Sequence, residues 1–157
     1  MTAPVAQECR LEIRRVLSAS RAAVFAAWTQ PARLREWFAP PLFQLEDAEA
    51  DVRPGGRYRL CLVSVKGSRH VASGTYVEVA PGRKLVFTWG WEGEPWAETL
   101  VTVSLRSLGR RTEFFLTHER FPSPEARANH ALGWQGCLDH LEAGLTSAES
   151  TGTGGRA

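Results

Sequence analysis

Apolar and polar residues alternate through the middle of the chain, and helical spacing marks its two flanks. Tyr58, Leu60 and Leu62 alternate with Arg57, Arg59 and Cys61, and Leu85, Phe87, Trp89 and Trp91 line one face of a second run. Val101, Val103 and Leu105 form a third face, and Phe114, Leu116 and His118 a fourth. A period of two places every second side chain on one side of a sheet, so each run predicts a half-buried strand. Phe43–Ala50 and Val71–Val79 add two more strands, and Leu11–Leu17 a first one whose alternation is broken by Arg14 and Arg15. Turn residues separate the runs: Arg53-Pro54-Gly55-Gly56, Lys66-Gly67-Ser68, Ala80-Pro81-Gly82, Gly93-Glu94-Pro95 and Leu108-Gly109. Such short connections join antiparallel neighbours and leave no room for helical crossovers.

Ser20 stands where an N-cap hydroxyl is needed, and Val24, Phe25 and Trp28 follow at helical spacing. Pro31 ends that helix near Gln30 and opens a second short one carrying Leu34, Trp37 and Phe38, which Pro40-Pro41 stops. The final helix has Ser123 as cap, Pro124 at its first position and Glu125 at its positive end. Trp134, Leu138, Leu141 and Leu145 form its apolar stripe. Ending near Ser147, it would be about 35 Å long, enough to cross the sheet. The predicted fold class is α+β: a curved antiparallel sheet of about six to seven strands wrapped around a long C-terminal helix, with two short helices after the first strand. Residues 1–7 read as a flexible leader, 8–147 as a single domain and 148–157 as a disordered tail.

Composition narrows the function classes. A chain of 157 residues can bury one core. No apolar run approaches the ~20 residues of a membrane span, and Met1–Glu8 lacks the features of a signal peptide, so a cytoplasmic protein with no membrane partner is expected. A net charge of +2 gives no basis for nucleic-acid binding, and the Arg106, Arg110 and Arg111 cluster falls on a turn. Cys9, Cys61 and Cys137 are odd in number and far apart, which suggests free thiols and no zinc site. His130 and His140 project in different directions from one helix, and HExxH and GxSxG are absent. No metal and no cofactor is implied. Six tryptophans remain as the unusual feature. They gather in three groups, and a fold that brings those groups together would surround a pocket.

The stretches VFAAWTQPARLREWF at 24–38, DVRPGGRYRL at 51–60, GTYVEVAPGRKLVFTW at 74–89, VTVSL at 101–105, RTEFFLTHERF at 111–121 and HALGWQGCLDHLEAGL at 130–145 carry a resemblance. In order and spacing they resemble the START-like (SRPBCC, helix-grip) superfamily, and within it the homologues of the activator of heat shock protein 90 ATPase. The resemblance spans about residues 9–146. It implies a curved sheet gripping the C-terminal helix with a hydrophobic cavity between them. It does not imply one function, because relatives include lipid and hormone binders, polyketide cyclases, self-resistance proteins and a co-chaperone domain, and many bacterial members have no assigned activity.

Strand alternation and the helix stripe select the candidate ligand-binding residues: Trp37, Phe38, Leu60, Leu62, Phe87, Trp89, Val101, Val103, Phe114, Leu116, His118, Trp134 and Leu138. Trp89 and Trp134 are expected to share one cavity, Trp28 to be structural, and Trp37, Trp91 and Trp96 to stand at a mouth or lid. Gly133 is expected to lie under close packing, while the sequence does not decide between close packing and room for a ligand at Gly136. Three functions follow. The first is binding of a hydrophobic or aromatic small molecule. The second is a cyclase- or dehydratase-like reaction in the same cavity, with Glu98 projecting inward as a candidate acid or base beside His118. The third is a co-chaperone-type module contacting a heat shock protein 90 ATPase. Monomer and homodimer are both compatible with the sequence.

Overall fold

The computed structural model describes residues 9–94 and 98–155, with side chains as far as Leu145. Seven strands, β1 (Arg10–Leu17), β2 (Phe43–Ala50), β3 (Arg57–Ser64), β4 (Arg69–Ala80), β5 (Lys84–Trp91), β6 (Thr99–Leu108) and β7 (Arg111–Glu119), form one antiparallel sheet in the order β1-β7-β6-β5-β4-β3-β2. The helices are α1 (Arg21–Thr29), α2 (Pro31–Trp37) and α3 (Pro124–Gly155). The sheet curls as a half-barrel around α3. This is the architecture expected from the hydrophobic pattern.

The local signals act as their chemistry requires. Ser20 Oγ accepts from Ala23 N at 3.2 Å, Ser123 Oγ from Ala126 N at 3.1 Å, and Pro31 opens α2. Two register shifts, at Leu45/Asp47 and Tyr76/Glu78, bend the sheet. Gly74 allows β4 to press against β5, because a Cβ there would overlap the Thr88 carbonyl oxygen. The broken alternation of β1 also has a cause. Arg14 reaches Glu113 on β7, whereas the mostly buried Arg15 turns to α3 and pairs with Asp139 at 2.8 Å and Glu142 at 3.3 Å.

Helix α3 extends past the expected end near Ser147 and takes in most of the stretch read as a tail. Elongating an existing helix adds a backbone hydrogen bond per residue even where no apolar stripe continues. The expected leader and Trp96 lie outside the described residues.

Candidate functional site

The core between sheet and helix is dense with rings. Trp28 stacks on Phe114 at 5.7 Å and meets Trp37 edge-on at 4.9 Å. Val101, Val103, Leu116 and Leu138 are buried among them as packing residues. Among the described residues a small void of about 20 Å³ is left in this core, walled by Trp28, Leu34, Phe38, Tyr58, Leu60, Tyr76, Leu85, Phe87 and Trp89. A cleft of about 580 Å³ opens at one end of the grip. Phe38 and Pro40 come to it from the α2–β2 connection, Phe43 from the start of β2, Leu62 from β3, Val71 from β4, Trp89 and Trp91 from β5, and Gly133, Trp134 and Cys137 from α3. Exposed Arg69, His70, Glu92, Glu94 and Asn129 form its polar edge.

Trp89 and Trp134 do lie together. Their centroids are 5.3 Å apart, the rings are 3% and 4% exposed, and both line the cleft. Of the other candidates, Phe38 and Leu62 line the cleft, while Leu60 and Phe87 face the small void. Trp37 stands away from the mouth. Its indole donates to the Ala27 carbonyl at 2.9 Å, and it borders a separate groove of about 550 Å³ between the short helices and the later part of α3.

The close packing expected at Gly133 is found instead at Gly136, for which the sequence left the choice undecided. A Cβ on Gly133 would meet nothing within 4 Å, because this residue faces the cleft beside Trp134. A Cβ on Gly136 would overlap Pro41 Cδ and come 3.2 Å from Pro41 Cγ. The tight contact is made by the Pro40-Pro41 turn, which spacing along α3 could not reveal.

His118 is fully buried in a closed polar chain. Trp134 Nε1 donates to His118 Nδ1 at 3.0 Å, His118 Nε2 lies 2.6 Å from Thr99 Oγ1, and Thr99 Oγ1 donates to the Trp89 carbonyl at 2.9 Å. An indole N–H can only donate and the Thr99 proton is already committed, so the neutral imidazole carries its proton on Nε2. Burial, helped by nearby His130, pushes its pKa down to about 2. Every member of the chain has a partner, which suits a structural strut better than a proton shuttle. Glu98 does not project inward. It is exposed, its carboxylate accepts from Thr88 Oγ1 at 3.2 Å, and no hydrogen bond joins it to His118. Its place in sequence, just before β6, gave no sign of which side of the hairpin it would take.

Sequence reasoning did not select several cleft and void residues. Tyr58 continues the face of Leu60 and Leu62, so the alternation already pointed to it. Its hydroxyl donates to the Thr88 carbonyl at 2.5 Å, and burial raises its pKa well above the usual value. Thr99 carried no signal, since only the register Trp89↔Thr99 and Val101↔His118 brings it to the imidazole. His130 accepts from Trp91 Nε1 at 2.9 Å and lies 2.7 Å from the Ala126 carbonyl, so it ties the β5 end of the cleft to the helix. Cys137 is buried against the cleft, and burial raises its thiol pKa to about 12.

A curled seven-stranded sheet closed on a long terminal helix, with a cleft opening at one end between them, defines the helix-grip class of proteins. Within it, residues 18–146 match the model of the family described as "Activator of Hsp90 ATPase homolog 1-like protein". The chain belongs to that family. Among solved structures it is similar to protein CV1439 from Chromobacterium violaceum, with 28% identity, 87% of this chain and 96% of that chain covered, and a TM-score of 0.76. The AHSA1 protein SPO3351 from Silicibacter pomeroyi is 26% identical over 88% of this chain and 99% of its own, with a TM-score of 0.79. CalU16 from Micromonospora echinospora is 27% identical over 90% and 79%, with a TM-score of 0.69. A comparison with the curated proteins returns no match. Among the described residues no helix is long and apolar enough to cross a membrane.

Proposed function

We propose that the protein binds a hydrophobic, aromatic small molecule in the cleft between the sheet and α3. The observation that carries this reading is the cleft itself. Its volume of about 580 Å³ falls within the ~300–1,000 Å³ usual for small-molecule sites, and aromatic rings from three separate parts of the chain converge on it. Trp89, Trp91 and Trp134 offer flat faces for stacking, Phe38 and Leu62 supply further apolar wall, and the polar edge can orient a substituent. Desolvation of these faces supplies most of the driving force. Gly133 supports the reading, because a helix position that costs stability relative to alanine leaves open space beside the Trp134 ring.

The test is a tryptophan fluorescence titration with a panel of polyaromatic and lipidic compounds, run on the wild type and on Gly133→Leu. Saturable quenching by aromatic members, weakened at least tenfold when the leucine fills the cleft, is the expected result. A panel giving no saturable response would overturn the reading.

A further inference from the structure

The indole N–H groups of the five described tryptophans divide into two sets. Those of Trp37, Trp91 and Trp134 donate to the Ala27 carbonyl, His130 and His118. Those of Trp28 and Trp89 have no protein acceptor, although both rings are more than nine-tenths buried. Both unpaired rings wall the same void of about 20 Å³. Buried donors without a partner are rare in native proteins because each loses its bond to water without replacing it. Two on one small void, in a fold that satisfies its other described indoles, mark a position built for an acceptor.

The void has room for about one oxygen-sized group. Its wall does not supply an acceptor: no protein oxygen, the Tyr58 and Tyr76 hydroxyls included, is hydrogen-bonded to either indole N–H, and the Tyr58 proton goes to the Thr88 carbonyl. Tyr76, also on the wall, has a raised pKa through burial and remains a protonated hydroxyl able to donate. Phe38 and Trp89 line both the void and the cleft, so the two spaces are separated by these side chains. Phe38 is the C-cap of α2, and its ring packs between Trp28 on the void side and Trp89 and Trp134, which line the cleft.

We propose that the ligand is an aromatic compound carrying a carbonyl oxygen, which enters the void past Phe38 and accepts hydrogen bonds from Trp28 Nε1 and Trp89 Nε1 while its ring system lies in the cleft. A carbonyl has two lone pairs and no proton of its own, so it matches two donors. This rests on the ligand-binding reading above.

Fluorenone and fluorene test it, since they share a ring system and differ in the carbonyl. Binding is followed by the indole ¹H–¹⁵N resonances of the ¹⁵N-labelled full chain, with Trp28→Phe and Trp89→Phe assigning the two signals. Fluorenone should bind about tenfold more tightly than fluorene and move the Trp28 and Trp89 signals downfield relative to fluorene. Trp28→Phe, which removes one donor from the void and leaves the cleft lining intact, should weaken that preference while keeping fluorene affinity. If either variant fails to fold, the wild-type comparison stands alone: two indole signals that move with the ketone and not with the hydrocarbon support the proposal. Equal affinities with no difference at any indole would overturn it and leave the binding reading intact, which is also the result if water holds the two donors. Failure of both compounds to bind would remove both.

Discussion

Replacing Gly133 by alanine should stabilise the protein, and the same replacement one turn later at Gly136 should destabilise it. Alanine is favoured over glycine in a helix interior by about 1 kcal/mol, because glycine loses more backbone freedom on folding. At Gly133 nothing lies within 4 Å of the added methyl group, so the gain is realised. For a chain of this size it raises Tm by about 2–4 °C. At Gly136 the same gain is opposed by overlap with the Pro41 ring, a contact the Pro40-Pro41 turn cannot easily relax. Overpacking of this kind costs about 1–3 kcal/mol, so the net effect runs from about zero to a loss of ~2 kcal/mol. Urea unfolding of the three proteins measures the difference, with unchanged m-values as evidence that only stability has altered. If Gly136→Ala gained as much as Gly133→Ala, α3 would not be seated against the Pro40-Pro41 turn. If Gly133→Ala lost stability, the position would not be open, and the site would lose one of its supports.

Other changes have defined directions. Trp134→Phe keeps a ring in the core but leaves His118 Nδ1 without its donor, so stability should fall by about 1–3 kcal/mol in chemical denaturation. The pH dependence follows from the same histidine. Its folded pKa of about 2 lies below the ordinary 6.5, so between these values the unfolded chain binds a proton that the folded one excludes. The stabilising contribution is complete above about pH 6.5 and declines as pH falls, by up to ~1.4 kcal/mol per pH unit. His130, also lowered by burial, adds in the same direction. Unfolding curves from pH 7 to pH 4 should show the slope, and His118→Asn should reduce it; an unchanged slope would refute the assignment. Glu98→Gln should leave ligand affinity unaltered and stability within about 0.5 kcal/mol, and a larger loss of binding would return Glu98 to the site.

The strands and helices could be read from the sequence because their signals are local. Ser20 caps, Pro31 starts and the alternation along Tyr58-Leu60-Leu62 names a buried face without reference to the rest of the chain. The pairing of Trp89 with Trp134 was also legible, since each dominates an apolar stripe on an element that must face the other. What escaped depends on contacts between distant segments. The Pro40-Pro41 turn decides which helix glycine is open, and cross-strand register brings Thr99 to His118. The division of space also escaped. Side-chain lists do not reveal that the centre is filled to a void of about 20 Å³ while the aromatic cleft of about 580 Å³ opens at one end.

The order of strands across the sheet has a consequence for how the chain assembles. The first strand made, β1, pairs with the last, β7, in the register Arg10↔Glu119 through Leu17↔Thr112. On a growing chain β1 has no partner until residue 119 has emerged, and the remaining strands can meet as successive hairpins in the meantime. Closing a loop of roughly a hundred residues is entropically slow, and such non-local pairings are the late, rate-limiting events in folding. Until then β1 is an unpaired edge, which invites pairing with a second chain. The adjacent Arg14 and Arg15 that spoil its alternation put charge on both faces of the waiting strand, so the residues that later anchor it to β7 and α3 also discourage association with another copy before its own partner arrives.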